Sequence, residues 1–191
     1  IENGPYLEAF KSRGLEVLLL FDQADEFVMN AVREYGEKKL VAGDSAEIDL
    51  SESEAEATGE ALPEETLNSL RDWLREHFGD RVKEVRTSGR LVNSPALALS
   101  ADQMMTPSMR RIMRLMHPDS EEAKGPGPVH LEINPRHKLL HNLAGLREKD
   151  AEAAGLVADQ ILDNALIEAG FLEDPRNVTD RVYRILERLS R

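Results

Sequence analysis

Hydrophobic residues recur at helical spacing in three stretches of the 191-residue chain, and each stretch carries the start or stop signals of a helix. Residues 63–79 begin with Pro63 and end with a glycine. Residues 151–169 precede Gly170, and the last helix follows an Asp-Pro pair at 174–175. We therefore predict that residues 151–191 form a two-helix hairpin.

Shorter apolar or alternating runs predict strands. Residues 15–21 form a continuous apolar run, which is typical of a strand buried on both faces. A helix over 22–32, with Asp22 as its N-cap, and a strand over 39–42 are predicted to follow. Residues 81–87 and 96–100 alternate and predict two antiparallel strands, with residues 129–133 as a third strand. A helix is then predicted to begin at Asn134-Pro135.

A strongly acidic stretch separates the elements before residue 44 from those after residue 62. The chain has 24 Lys and Arg against 36 Asp and Glu, a formal net charge of −12. Nine acidic residues and no basic residue lie between Asp44 and Glu65, which is typical of a solvated linker. The predicted fold is α+β: a small α/β lobe over 1–43, an acidic linker over 44–62 and an α+β domain with a three-stranded sheet over 63–191.

Composition excludes several classes of protein. The acidic balance argues against a general nucleic-acid binder, although a module using Arg110, Arg111 and Arg114 stays open as a minor alternative. There is no cysteine and therefore no thiolate site. No apolar run approaches the ~20 residues that span a bilayer, and no secretion signal is visible. Because the chain begins at Ile1, we expect it to be a fragment of a longer protein.

Five of the six methionines lie between positions 104 and 116. Thr106 and Pro107 predict a helix start, and a helix from there would place the methionines along one side. This helix could belong to the core. It could also be an exposed, adaptable surface, because methionine is flexible and polarizable. The candidate contact residues of that surface, at i, i+3, i+4 and i+7, are Met109, Ile112, Met113 and Met116.

The apolar surface of the terminal hairpin is wide enough to need cover on more than one side. It could pack on its own domain, or two copies could pair as a four-helix bundle across a two-fold axis. The second interpretation is favoured. The predicted dimer contacts are Leu156, Val157, Ile161, Leu162, Ala165, Leu166, Val178, Val182, Ile185, Leu186 and Leu189.

Two clusters could support an enzyme instead. Asp22, Asp25 and Glu26 follow the predicted strand, where α/β active sites often lie, but acids also suit the first turn of a helix. His137 and His141 stand four apart, a spacing that can hold a metal. No third ligand supports that site, so surface or capping roles are favoured.

Several stretches resemble heat-shock protein 90 chaperones along the whole chain. Residues 6–27, with Gly14-Leu15-Glu16-Val17-Leu18-Leu19-Leu20 at their centre, and the strand at 39–41 resemble the end of that family's middle domain. Residues 90–96, the methionine helix, 131–137 and 159–175 resemble its C-terminal domain. No single piece is a signature, but their order is specific.

The resemblance implies a homodimeric, ATP-driven chaperone whose ATPase domain lies outside this chain. We therefore expect no catalytic residue, cofactor or metal here, although the parent protein would use ATP and magnesium. The positions that match the family's client contacts are Glu26, Phe27, Met105, Met109, Ile112 and Met113; the family usually has Trp where this chain has Phe27. The acidic tail that recruits helical-repeat cochaperones is not seen. The bacterial type, and hence the cytoplasm, is expected, with the mitochondrial matrix as the second choice and no membrane or nucleic-acid partner.

Overall fold

The computed structural model describes residues 4–22, 24–41, 43, 59–101, 116, 129–172 and 176–190, and the fold is α+β as predicted. Within these residues the helices are α1 (Pro5–Lys11), α2 (Asp25–Val32), α3 (Glu64–Phe78), α4 (Lys138–Lys149), α5 (Ala151–Glu168) and α6 (Arg176–Leu189). The strands are β1 (Glu34–Tyr35), β2 (Lys38–Lys39), β3 (Val82–Thr87), β4 (Ala96–Ser100) and β5 (Val129–Ile133).

The main sheet has the order β3-β5-β4. Strand β5 lies in the centre, parallel to β3 and antiparallel to β4, and Leu131 pairs with Val85 on one side and Ala98 on the other. All five residues of β5 are buried. Burial on both faces is typical of a central strand with cover on each side.

Helices α3, α4 and α5 cover one face of this sheet. Their apolar sides meet in a single core that includes Leu74 of α3, Leu140 of α4 and Leu162 of α5, each at most 1% exposed. On the other face, Leu97 and Leu99 of β4 pack with Leu91, and Tyr6 of α1 covers them. The sheet is therefore enclosed between the long helices and the N-terminal segment.

A buried ion pair lies on that second face. The guanidinium Nε of Arg90 is 3.3 Å from a carboxylate oxygen of Glu132 on β5, and both side chains are less than a tenth exposed. The Ser88 hydroxyl donates to the same carboxylate at 2.8 Å. Asn134 donates from its amide to the carbonyls of Val92 and Ser94, each at 3.2 Å. These contacts hold the loop between β3 and β4 against β5.

Helix α1 is fastened to the same loop from the outside. The Glu8 carboxylate accepts hydrogen bonds from the backbone N–H groups of Val92, Asn93 and Ser94. Arg13 donates to the carbonyl of Gly89 at 3.0 Å. Helix α1 therefore packs on the loop between β3 and β4.

The lobe itself differs from the prediction. The apolar run at 15–21 has no strand partner among the described residues, and Leu18 and Phe21 are 70% and 80% exposed. The following helix begins at Asp25, and Asp22 does not cap it: Asp22 accepts from the N–H of Ala24 within a turn. Strand β2, the second arm of the small β1–β2 hairpin, covers Lys38–Lys39 and so overlaps the predicted strand at 39–42 only at Lys39, while Ala42 lies outside the described residues.

Two further predictions in the C-terminal domain were wrong in detail. The strands at 82–87 and 96–100 do run in opposite directions, but β5 lies between them, so they share no hydrogen bonds. Helix α4 begins at Lys138, with His137 as its N-cap, instead of at Asn134-Pro135. Asn134 is used to bind the loop described above. Thr106, Pro107 and the Asp174-Pro175 pair lie outside the described residues.

Leu62, the last residue of the predicted linker, is buried in the main core and its N–H donates to the carbonyl of Pro135 at 2.9 Å. Gly59 is also bound, because Arg136 donates to its carbonyl at 2.7 Å. The described end of the acidic segment is thus attached to the C-terminal domain. No helix in the described part of the chain has the length and apolarity that a membrane crossing requires.

Candidate functional site

The candidate site is one side of the hairpin formed by α5 and α6. The carboxylate of Asp150 caps α5 by accepting from the N–H of Ala153 at 3.0 Å. At the other end, Gly170 takes a positive φ of 70° and the N–H of Phe171 returns to the carbonyl of Leu166. Glycine adopts that left-handed conformation without strain. These signals set where α5 begins and ends.

A row of ion pairs fastens α6 to α5. Arg181 donates to the carboxylate of Asp163, and Arg188 binds Asp150 at 2.5 Å and Glu152 at 3.3 Å. Later residues of α6 contact earlier residues of α5, so the two helices are antiparallel. Nearby, Asp159 is 2.6 Å from Arg81 and 3.2 Å from His77, which ties the hairpin to α3 and the turn after it.

The contacts at this end of the hairpin shift the pKa values of the Asp150 carboxylate and the Arg188 guanidinium. The N–H of Ala153, followed by the Arg188 guanidinium, lowers the pKa of Asp150. Its hydrogen bonds to Asp150 and Glu152 raise the pKa of Arg188. Both shifts favour the charged forms, so the ion pair between Asp150 and Arg188 is kept across the physiological range.

The inner side of α5 belongs to the core of the same subunit. Ile161, Leu162, Ala165 and Leu166, which were predicted as dimer contacts, are all buried there. Leu156 is also buried, at the junction with α6. These side chains offer a partner almost no surface, because α5 is enclosed by β4, α4 and α6 within its own domain.

Another side of the hairpin is open, and we call it the hairpin face. On α5 it comprises half-buried and exposed positions that step by four and three residues, and on α6 it comprises the stripe predicted from the sequence. A helix turns roughly 100° per residue, which places both sets about a quarter turn or slightly more from the ion-paired sides. Since α5 and α6 are antiparallel, both sets face the same way. The members are Ala153, Val157, Gln160, Asn164 and Ile167 of α5 with Val178, Val182, Ile185, Leu186 and Leu189 of α6.

Exposure of the hairpin face is greatest on α6. Leu186 is 54% exposed and Leu189 is 80% exposed, while Ile167 of α5 is 48% exposed. None of the residues in the face is charged. An uncharged, largely apolar face on two adjoining helices is typical of a surface that binds another protein.

The sequence predicted the α6 part of this face but missed most of the α5 part. Val157 was named, whereas Ala153, Gln160, Asn164 and Ile167 were not. The regular spacing of four, three, four and three residues is a signal that could have found them. The spacing is hard to recognise because two of its positions, Gln160 and Asn164, are polar and do not belong to an apolar stripe.

The predicted client-contact residues are described only in part. Glu26 and Phe27 lie on α2, but their side chains are outside what the structure describes. Met105, Met109, Ile112 and Met113 fall in the undescribed residues 102–115. Met116 is helical and 67% exposed.

The two rival clusters have structural roles. Asp25 accepts from the N–H groups of Phe21 and Asp22, which organises the turn before α2. His137 caps α4 by accepting from the N–H of Leu139, and burial lowers the pKa of its ring. His141 contacts the carbonyl of Pro135 at 3.0 Å. Among the described residues, no group of three or more His, Cys, Asp or Glu could hold a metal.

Comparisons with known proteins agree on one family. A family model described as "Hsp90 protein" matches residues 1–190. The chain is 42% identical over 192 residues to the chaperone protein HtpG of Desulfitobacterium hafniense, covering all of this chain and 30% of that protein. HtpG of Desulfotalea psychrophila is 42% identical over 195 residues, covering 98% and 31%. The mitochondrial heat shock protein 75 kDa of Rattus norvegicus is 37% identical over 193 residues, covering 97% and 27%. The chain spans about 30% of the length of these curated relatives.

Proposed function

The chain belongs to the Hsp90 family of molecular chaperones, and on that premise we propose that it supplies the homodimer contact and part of the client-binding surface of a longer, ATP-driven chaperone. The observation that carries the first half is the hairpin face. It is open, uncharged and continuous over two helices that ion pairs hold together. Two copies that bring these faces together form a four-helix bundle.

The proposed dimer interface is smaller than the one predicted from the sequence, because it leaves out the buried residues of α5. The buried residues of α5 stabilise the subunit itself, and the exposed and half-exposed residues of the hairpin face make the contact between subunits. Pairing at this end keeps the remaining parts of two parent chains close together. Their effective concentration for each other rises without any new contact between them, which is what a clamp closed by ATP requires.

We assign the nucleotide steps to the parent protein and none to this chain. The resemblance implies that ATP and magnesium bind a domain outside these residues. The proposed location is the bacterial cytoplasm, in keeping with the bacterial relatives, although the similarity to a mitochondrial protein leaves the matrix as the second choice. An enzyme at the acidic or histidine cluster is not favoured, because those groups are used in turns and caps.

The methionine stripe is proposed to hold non-native apolar segments of clients. Flexible thioether side chains suit many shapes, and each contact orders them at an entropic cost, so binding is weak and tolerant of sequence. Met116, helical and exposed, is the described residue that supports this assignment.

Changing Met105, Met109, Ile112 and Met113 to serine should weaken client capture without lowering the melting temperature. Loss of about 2 kcal/mol of apolar contact is roughly thirtyfold in affinity. The measurement is the concentration of chain that halves the aggregation of a chemically unfolded reporter protein, followed by light scattering. Thermal unfolding is recorded in parallel.

The matched control changes Arg110, Arg111 and Arg114, on the other side of the same predicted helix, to serine. That variant should capture the reporter as the unaltered chain does. Unchanged capture by the serine variant of the stripe would contradict the client assignment. A large fall in its melting temperature would instead place the stripe in the core.

A further inference from the structure

The α5 part of the hairpin face has two amide side chains at its centre. Gln160 and Asn164 lie between Ala153 and Val157 on one side and Ile167 on the other, in the row that steps by four and three residues. That spacing is the seam of a helix that packs along another helix. Val157 packs partly against the subunit's own core, but the buried core residues of α5, such as Leu162, lie on another side of the helix.

The two amides form a hydrogen bond with each other and keep further donors and acceptors that this bond does not use. Nε2 of Gln160 donates to Oδ1 of Asn164 at 2.8 Å. Oε1 of Gln160 is buried and accepts no hydrogen bond from the described residues. An amide group offers two donors and an acceptor with two lone pairs. Because that oxygen is buried in the subunit, what the pair offers a partner is the remaining N–H groups of the two amides and the second lone pair of Oδ1 of Asn164, an exposed residue.

The chemistry of the face fits a second copy of this chain. In a two-fold contact the same patch is used on both sides, so residues near the axis meet their own copies. A charged residue there would face a like charge. Apolar side chains and amides are compatible with themselves, the amides because they both donate and accept, and the hairpin face contains no other kind of side chain.

Polar groups in an apolar seam also oppose sliding. If one copy moved by a helical turn, the amides would lie against alkyl groups and lose their partners in a place that water cannot reach. An entirely apolar seam has no such constraint, and neighbouring registers become close in free energy.

We propose that the Gln160–Asn164 pair fixes the register in which two copies of this chain associate. The proposal rests on the proposed dimerisation and adds the residues that give the dimer its single arrangement. Replacing both amides by leucine should leave association at least as tight while several registers become populated.

The test uses the absence of native cysteine. Single cysteines are placed in turn at Ala153, Val157, Ile167, Val182 and Leu189, in the full chain and in the Gln160→Leu/Asn164→Leu variant. A disulfide forms between two copies only where their Cα atoms come within about 7 Å. Oxidation under one mild condition therefore reports which positions meet their own copies, and light scattering gives the molar mass of each assembly.

We expect cross-linking at few positions with the native amides. In the leucine variant we expect it at additional positions, or assemblies larger than a dimer. A discrete leucine dimer with the native cross-linking pattern would overturn the proposal, and so would a leucine variant that no longer dimerises, since the amides would then supply affinity. The control Asp180→Leu/Glu187→Leu, on the far side of α6, should keep the native pattern. A monomeric unaltered chain would remove the proposed dimerisation itself and this inference with it.

Discussion

The substitution Leu186→Asp is expected to convert the chain from a dimer into a monomer while leaving each subunit folded. Leu186 is 54% exposed in the subunit and lies in the hairpin face. When two copies pair, each would bury an aspartate carboxylate at this position without a positive charge beside it. The cost of about 3 kcal/mol is roughly a hundredfold in the dissociation constant. Sedimentation velocity over a range of concentrations measures that constant.

A residue on the far side of α6 provides the matched control. Glu187 is on the same helix, is exposed and lies opposite the hairpin face. Glu187→Gln also changes the charge by one unit, but outside the hairpin face, so it should keep the dimer. Both variants should unfold within ~0.5 kcal/mol of the unaltered chain, as substitutions at exposed sites usually do. Equal weakening by the two variants would show that charge, and not the hairpin face, controls association.

Substituting Arg90 by methionine is expected to destabilise the subunit by about 3–5 kcal/mol. The guanidinium of Arg90 is 3.3 Å from the carboxylate of Glu132, and the side chains are 4% and 9% exposed. Its removal leaves a carboxylate in the central strand with the Ser88 hydroxyl but without its cation. Because typical domains are stable by only about 5–15 kcal/mol, the loss should be plain in urea denaturation.

Two controls separate the buried charge from a general loss of arginine. Arg90→Met combined with Glu132→Gln removes both charges and should recover much of the stability. Arg86→Met removes the exposed partner of Glu84, at 2.7 Å, and should cost no more than about 1 kcal/mol. If Arg90→Met were as mild as Arg86→Met, the ion pair would not be stabilising the second face of the sheet.

The elements that the sequence predicts well are the long helices, because their signals are local. Helix α3 has a proline before its first residue and a glycine after its last, and its apolar residues follow one side. Helix α5 has the Asp150 cap and Gly170. Each of these signals acts within a few residues, so no knowledge of the rest of the fold is needed to interpret it.

The sequence does not predict which strands pair with each other. Strands β3 and β4 are close in the chain, which favours a direct pair, yet β5 lies between them after a much longer connection. The preference of β5 for both neighbours depends on side chains of all three strands, including Leu131, Val85 and Ala98. A single-sequence pattern carries no information on that choice. The apolar composition of residues 15–21 likewise predicts a strand, but it does not indicate which strand would pair with it.

The candidate site was predicted in part for a related reason. The width of the apolar surface on α5 predicts that more than one side needs cover, but it does not show which side the subunit itself covers and which side it leaves open. Leu162 and Val157 look alike in the sequence, yet Leu162 is fully buried and Val157 stays partly exposed. The difference comes from the placement of β4 and α4 against α5.

The most direct test of the account is the molar mass of the intact chain compared with a chain that ends at Leu172. Ending there removes α6 and retains α5, which the core requires. Light scattering behind size exclusion at micromolar concentration should give twice the 21.4 kDa of one chain for the intact protein and one chain mass for the shortened protein. Circular dichroism should show that the shortened protein is still folded. An intact chain that stays monomeric, or a shortened chain that still dimerises, would contradict the assignment of the hairpin face as the dimer contact.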